Sequence, residues 1–164
     1  MITAFINLKG GSTKSSSAVH LCRYLLAKNQ TVALVDADSQ ATSSTWINNL
    51  ENGIPRPKIY RLTEPDPLLD EIPEIAKSAD HVVVDGAGGL AEVQRTILLL
   101  ADRVFIPIQP SAPDISASHQ AIKAVSRARA IRNGQPSAYT FLSRVVPKTL
   151  LLAEAREVLS AYKD

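Results

Sequence analysis

Apolar residues along this chain follow two alternating rhythms. Short runs rich in β-branched and aromatic residues predict buried strands at Ile2-Thr3-Ala4-Phe5-Ile6 and at Thr31 to Val35, the latter ending on Asp36. Further strands are predicted at His81-Val82-Val83-Val84-Asp85, Arg103 to Ile108 and Ala138 to Leu142. Between them the apolar positions recur at helical spacing. Val19, Cys22, Leu25 and Leu26 place a helix over about Ser15 to Lys28. Other helices are predicted over Thr45 to Leu50, Leu68 to Ser78, Ala91 to Ala101, Ile115 to Arg132 and Leu150 to Tyr162. The longest is stopped by Asn133-Gly134 and Pro136. Residues 52–67 hold four prolines and one glycine, so they read as loop with an edge strand at Lys58 to Leu62. Pro73 is expected in the first turns of its helix, or at a kink in it.

Strands alternating with helices imply parallel pairing through right-handed crossovers. The predicted fold is α/β, a three-layer doubly wound, mostly parallel sheet with helices on both faces. Such sheets bind ligands beyond the carboxyl ends of their strands. The Gly-rich turn after the first strand, Asp36-Ala37-Asp38 and Asp85-Gly86 all fall at such ends.

The 164 residues suit one domain, 1–164. With 21% charged and 45% hydrophobic residues, a disordered or collagen-like chain is excluded. Apolar runs such as Ile97 to Ala101 are too short to cross a bilayer, so no stable membrane insertion is expected. The first residues lack the features of a signal peptide, and the one cysteine, Cys22, has no internal partner. Both point to the cytoplasm, with Cys22 packed on a buried helix face. The net charge of +2 is small, but residues 121–164 carry eight Lys or Arg against three Asp or Glu, a pointer to a polyanionic partner.

The chemistry concentrates in Lys9-Gly10-Gly11-Ser12-Thr13-Lys14-Ser15-Ser16. A turn between a buried strand and a helix aims backbone N–H groups and the positive helix end at a phosphate. Gly10 and Gly11 allow close approach, Lys14 supplies a charge to the outer phosphates, and the Ser15 hydroxyl can ligate Mg²⁺. The cofactors expected are therefore ATP and Mg²⁺. Leu8 and Thr13 stand where the ordinary Walker pattern has glycines, and an extra lysine, Lys9, precedes the glycines.

In this deviant form, Lys-Gly-Gly-x-x-Lys-Ser, the chain resembles the ParA/MinD family of ATPases, and among them the ParA-type partition proteins. The resemblance continues in Asp36-Ala37-Asp38-Ser39-Gln40, in Val82-Val83-Val84-Asp85 and in Ile106-Pro107-Ile108-Gln109-Pro110. It implies that Lys9 reaches across a dimer interface to the partner's nucleotide. It implies too that Asp38 orients or deprotonates the attacking water, and that Gly88, or else Gly89, donates its N–H to the γ-phosphate. A carboxylate at a strand end beside a magnesium-phosphate site can hold a metal-bound water, and Asp85 is the candidate, with Asp36 in support. The competing reading of Asp36 and Asp38 is a pair of loop or helix caps.

Departures from the family pattern are Thr13, where a positive φ would strain a β-branched residue, Ser39 in place of proline, and Ser143 where many relatives carry an adenine-reading asparagine. Relatives usually continue with another strand and helix, so a short member is expected. His20, His81 and His119 share no metal-ligand spacing, and Trp46 reads as local packing. Lys123 and Arg127, one helical turn apart, and the neighbouring Arg129 and Arg132 read either as a solvated face or as contacts to DNA phosphates.

The resemblance implies an ATPase of slow, partner-stimulated turnover that dimerises on ATP. The homodimer would bind DNA non-specifically, associate with the nucleoid and answer to a ParB-like or adaptor protein in plasmid or chromosome partition or cargo positioning. Two alternatives are a MinD-like membrane-surface switch and a shortened, non-hydrolysing regulator. Glu154 and Glu157 weaken the membrane reading. A nitrogenase-type iron protein would need paired cysteines, and a tyrosine-kinase relative a tyrosine-rich tail.

Overall fold

The computed structural model describes residues 1–89 and 91–160. The chain runs β1 (Ile2–Phe5), α1 (Lys14–Leu26), β2 (Val32–Asp36), α2 (Thr42–Asn48), β3 (Lys58–Arg61), α3 (Pro65–Ser78) and β4 (His81–Asp85). It continues through α4 (Ala91–Leu100), β5 (Arg103–Ile108), α5 (Ala112–Ile131), β6 (Ser137–Leu142) and α6 (Leu150–Ser160). The end of the last predicted helix, Ala161-Tyr162, lies outside the described residues.

All six strands are parallel, in the order β3-β2-β4-β1-β5-β6. Alternation along the strands builds the three layers, because successive side chains point to opposite faces. Ala4, Val35, Val82, Val84, Val104 and Ile106 pack with Leu68 and Ile72 of α3, Val93 and Ile97 of α4, and Ala121 and Val125 of α5. Phe5, Leu34 and Val83 pack on the other face with Ala18, Val19 and Cys22 of α1 and Ile47 of α2. Cys22 is thus a core residue, its thiol pushed up to about 12, chiefly by burial.

The central neighbours β1 and β4 send their chains to opposite faces, β1 to α1 and β4 to α4. Doubly wound sheets open a ligand crevice at such a point. Gly86, just past β4, is held close to β1: a Cβ there would stand 2.7 Å from the Phe5 carbonyl oxygen. Only glycine lets the end of β4 pass so near.

Three helices begin earlier than the apolar spacing predicts. α2 starts at Thr42 because the Asp36 carboxylate accepts the Ser44 N–H, 2.8 Å, and gives this polar stretch a helical first turn. α3 starts at Pro65, since proline at the first helical position loses no hydrogen bond. Pro73 therefore sits deep inside α3, past its first turns. α5 starts at Ala112, where the Ser111 side chain caps the Asp114 N–H.

Candidate nucleotide-binding site

The turn between β1 and α1 forms one wall of a cavity of about 280 Å³, lined by residues 10–16, Asp38, Gln40, Thr42 and Arg144. Gly11 takes φ 73° and Thr13 φ 72°, both left-handed. The Thr13 conformation costs a β-branched residue about 1–2 kcal/mol, and its hydroxyl, buried without a hydrogen-bond partner, offsets none of it. No side chain caps the start of α1, so the first-turn N–H groups are left for a ligand at the cavity.

Lys14 is 5% exposed and donates from Nζ to the Lys9 carbonyl, 3.2 Å. Burial lowers its pKa, while Asp85 and Asp38 oppose that shift and favour the charged form. Asp85 lies beside Asp36 in the β4-β2 register and beside Phe5 in the β4-β1 register. Both its carboxylate oxygens are buried, and the Ser15 and Ser43 hydroxyls beside them fall short of full hydrogen-bond geometry. Burial pushes its pKa up to about 6, with Ser15, Ser43 and Lys14 acting downward and Asp36 upward. An uncompensated buried carboxylate is costly, and a bound cation removes the cost. No cluster of three or more His, Cys, Asp or Glu occurs among the described residues. A divalent cation at Asp85 would therefore need ligands from an anion such as a nucleotide phosphate.

Asp36 and Asp38 divide their work. Asp36 is fully buried, and its two oxygens accept the Asp38 and Ser44 N–H groups at 3.2 and 2.8 Å. The capping alternative thus describes Asp36 well. Asp38 lies at the cavity and accepts from Gln40 N–H, 3.0 Å, and from Gly88 N–H, 3.3 Å. The segments after β2 and β4 are joined by this Gly88 contact. Gly88 also rests close to Gly10 and the Lys14 ammonium.

Lys9 has an intramolecular partner that nothing in the residue pattern announced. Its Nζ lies 2.5 Å from the Asp114 Oδ2 at the start of α5; the Asp114 side chain is 2% exposed. Ser111 also donates its hydroxyl to Asp114, and Gln109 reaches the Gly11 carbonyl at 2.7 Å. The β5-α5 connection thus holds the phosphate turn at two points. Ser111-x-x-Asp114 has the spacing of a capping box, a signal for the start of α5 but not for the Lys9 contact. Arg144, after β6, is another cavity residue without a motif to reveal it.

The four basic residues read as candidate DNA contacts, Lys123, Arg127, Arg129 and Arg132, do not form one surface. Arg132 donates to the Leu98 and Ala101 carbonyls at 2.9 and 2.5 Å, closing the end of α4. Arg129 donates to the Gly134 carbonyl, 3.3 Å. Lys123 and Arg127 stay exposed on α5. Trp46 packs edge-on against His20, ring centroids 5.8 Å apart, as a local contact.

A parallel sheet with a Gly-rich turn at its crevice, a buried aspartate and a buried lysine is a nucleotide-site geometry. The model of the CobQ/CobB/MinD/ParA nucleotide binding domain family matches residues 3–158. The chain belongs to that family. The maintenance of carboxysome distribution protein A of Gloeobacter kilaueensis is 30% identical over 91% of this chain and 65% of its own length. Among solved structures, apo McdA from Cyanothece superposes with a TM-score of 0.80, covering 99% of this chain and 81% of that one at 13% identity. The MinD protein of Pyrococcus horikoshii, complexed with Mg-ADP, gives a TM-score of 0.75 over 96% of this chain and 76% of its own, at 15% identity. At these identities the structural likeness concerns the ParA/MinD-type fold. This chain spans 51% to 68% of the length of the curated relatives it matches.

Proposed function

We propose that this ParA/MinD-family domain is an ATP- and Mg²⁺-dependent switch that dimerises on ATP and serves partition or cargo positioning. The observation that carries the reading is the buried Asp85 carboxylate beside Lys14, with the Ser15 and Ser43 hydroxyls near it, behind a turn with open N–H groups. Residues 10–16 would hold the phosphates, Lys14 would neutralise the outer ones, and Ser15 and Asp85 would hold Mg²⁺, Asp36 supporting them from β2. Bound magnesium supplies charge neutralisation on the outer phosphates.

Asp38 would orient the attacking water once its contact to Gly88 is given up, and the freed Gly88 N–H would then face the γ-phosphate. Lys9 would leave Asp114 for the nucleotide of a second copy. Partner-stimulated hydrolysis would return both contacts. The basic excess of residues 121–164 supports association of the dimer with DNA of any sequence. Salt-titrated duplex binding with and without ATP tests that part, and an ATP-independent result would remove it. A membrane-surface role has less support, because exposed Leu150, Leu151 and Val158 of α6 share that helix with exposed Glu154 and Glu157.

The direct test is equilibrium ATP binding by Lys14→Ala. The buried ammonium is the main positive charge at the outer phosphates, so its loss should abolish measurable binding. Unchanged affinity would overturn the proposal.

A further inference from the structure

On the opposite face of the sheet from α1, α4 and α5 leave a groove between them. Leu98, Leu99, Ala124, Ala128 and Ile131 line a cavity of about 300 Å³ at one end. A second cavity of about 230 Å³ shares Arg95, Ala124 and Arg127 with the first and runs on to Gln94 and Leu8. The two form one continuous surface. Leu99 is 43% and Ile131 74% exposed, so a partner that covers them removes substantial apolar area from water.

The polar chemistry of this groove has one sign. Arg95, Lys123 and Arg127 line it, and no carboxylate does. None of the three forms an ion pair among the described residues. The lining runs from Ala91 to Leu99 on α4 and from Gln120 to Ile131 on α5. At helical rise these stretches are about 12 and 16 Å long, the length of a helix of roughly two to three turns. Duplex DNA would use the cations but leave the apolar floor wet. An apolar helix without acidic flanks would use the floor and leave the cations unpaired.

We propose that this groove docks an acidic amphipathic helix of a partner protein. Its apolar side chains, at i, i+3 or i+4, and i+7, lie on Leu98, Leu99, Ala124 and Ile131, and its Asp or Glu residues face Arg95, Lys123 and Arg127. The groove's inner end meets the nucleotide machinery. Gln94 there is buried and donates to the Ala87 carbonyl, 2.8 Å, in the segment that carries Gly88. An occupant bearing on α4 therefore has a mechanical path to the Gly88-Asp38 contact. That consequence rests on the proposed switch; the docking itself does not.

The experiment uses the whole chain and two fluorescent helical peptides, one with leucines at the stated spacing and glutamate flanks, the other with lysines replacing the glutamates. Anisotropy should show saturable binding of the acidic peptide and at least about tenfold weaker binding of the basic one. Arg95→Glu, Lys123→Glu and Arg127→Glu should each weaken the acidic peptide several-fold while ATP affinity is unchanged. Ile131→Ser should weaken it through the apolar floor alone, which guards against a charge variant that folds poorly. Retained ATP binding in these variants separates failure of docking from failure of the nucleotide reading. Equal binding of both peptides overturns the proposal. So does a duplex-DNA affinity that falls in the charge variants while peptide binding holds. Self-association of the wild type that the same variants abolish would make the occupant a second copy, and overturns it too.

Discussion

Individual residues carry the nucleotide site, and Asp85 is where its energetics are most exposed. Its carboxyl titrates near 6 in the folded chain against an ordinary 3.8, because burial disfavours the charge. The folded state therefore holds a proton that the unfolded chain gives up between about pH 4 and 6. Stability without ligand should fall as pH rises through that window, by on the order of 3 kcal/mol for this group, and the full penalty stands at neutral pH. Asp85→Asn should raise the ligand-free melting temperature at pH 7.5, with a smaller change at pH 4.5, and abolish the Mg²⁺-dependent gain in nucleotide affinity. Thermal unfolding of both proteins at the two pH values checks this. A pH-independent difference would assign the pKa to the wrong group. The phosphate turn was readable in the sequence because glycines, lysines and a hydroxyl must stand in a fixed local order. The Lys9-Asp114 pair was not, since its members are 105 residues apart and meet only once β1 and β5 pair.

At the scale of elements, the strands were legible because burial on both faces demands unbroken apolar runs, as in Val82-Val83-Val84. Helix starts were less so. Thr42-Ser43-Ser44 reads as polar loop until the chain folds back and Asp36, at the end of β2, accepts the Ser44 N–H. Pro73 lies past the first turns, the other of its two expected places: a residue that breaks isolated helices is carried within α3 because Leu68, Ile72 and Ile75 are buried against the sheet. Packing outweighs the local penalty, which remains. Pro73→Ala restores a donor to the Leu69 carbonyl at an exposed position and should stabilise the fold by about 1–3 kcal/mol. Chemical denaturation should show a higher midpoint with an unchanged slope. A lower midpoint would mean that α3 depends on the proline ring itself. Arg132 illustrates the same theme, a cation expected on a surface and found closing the end of α4.

For the whole molecule, the central question is how one chain's site senses another. A second lysine on a phosphate turn adds like-charge repulsion unless it has its own anion. In this structure that anion is Asp114. In the proposed dimer it is the partner's nucleotide, and the isologous interface uses both copies of Lys9 once each. Membership of the nucleotide-binding family follows from the match over residues 3–158, whereas the proposed assembly would depend on this exchange of partners. Light scattering with a non-hydrolysable ATP analogue tests it most directly. Wild type should double in mass when the analogue is added, and Lys9→Ala should bind the analogue yet stay a monomer. Equal dimerisation of the two proteins would contradict the account.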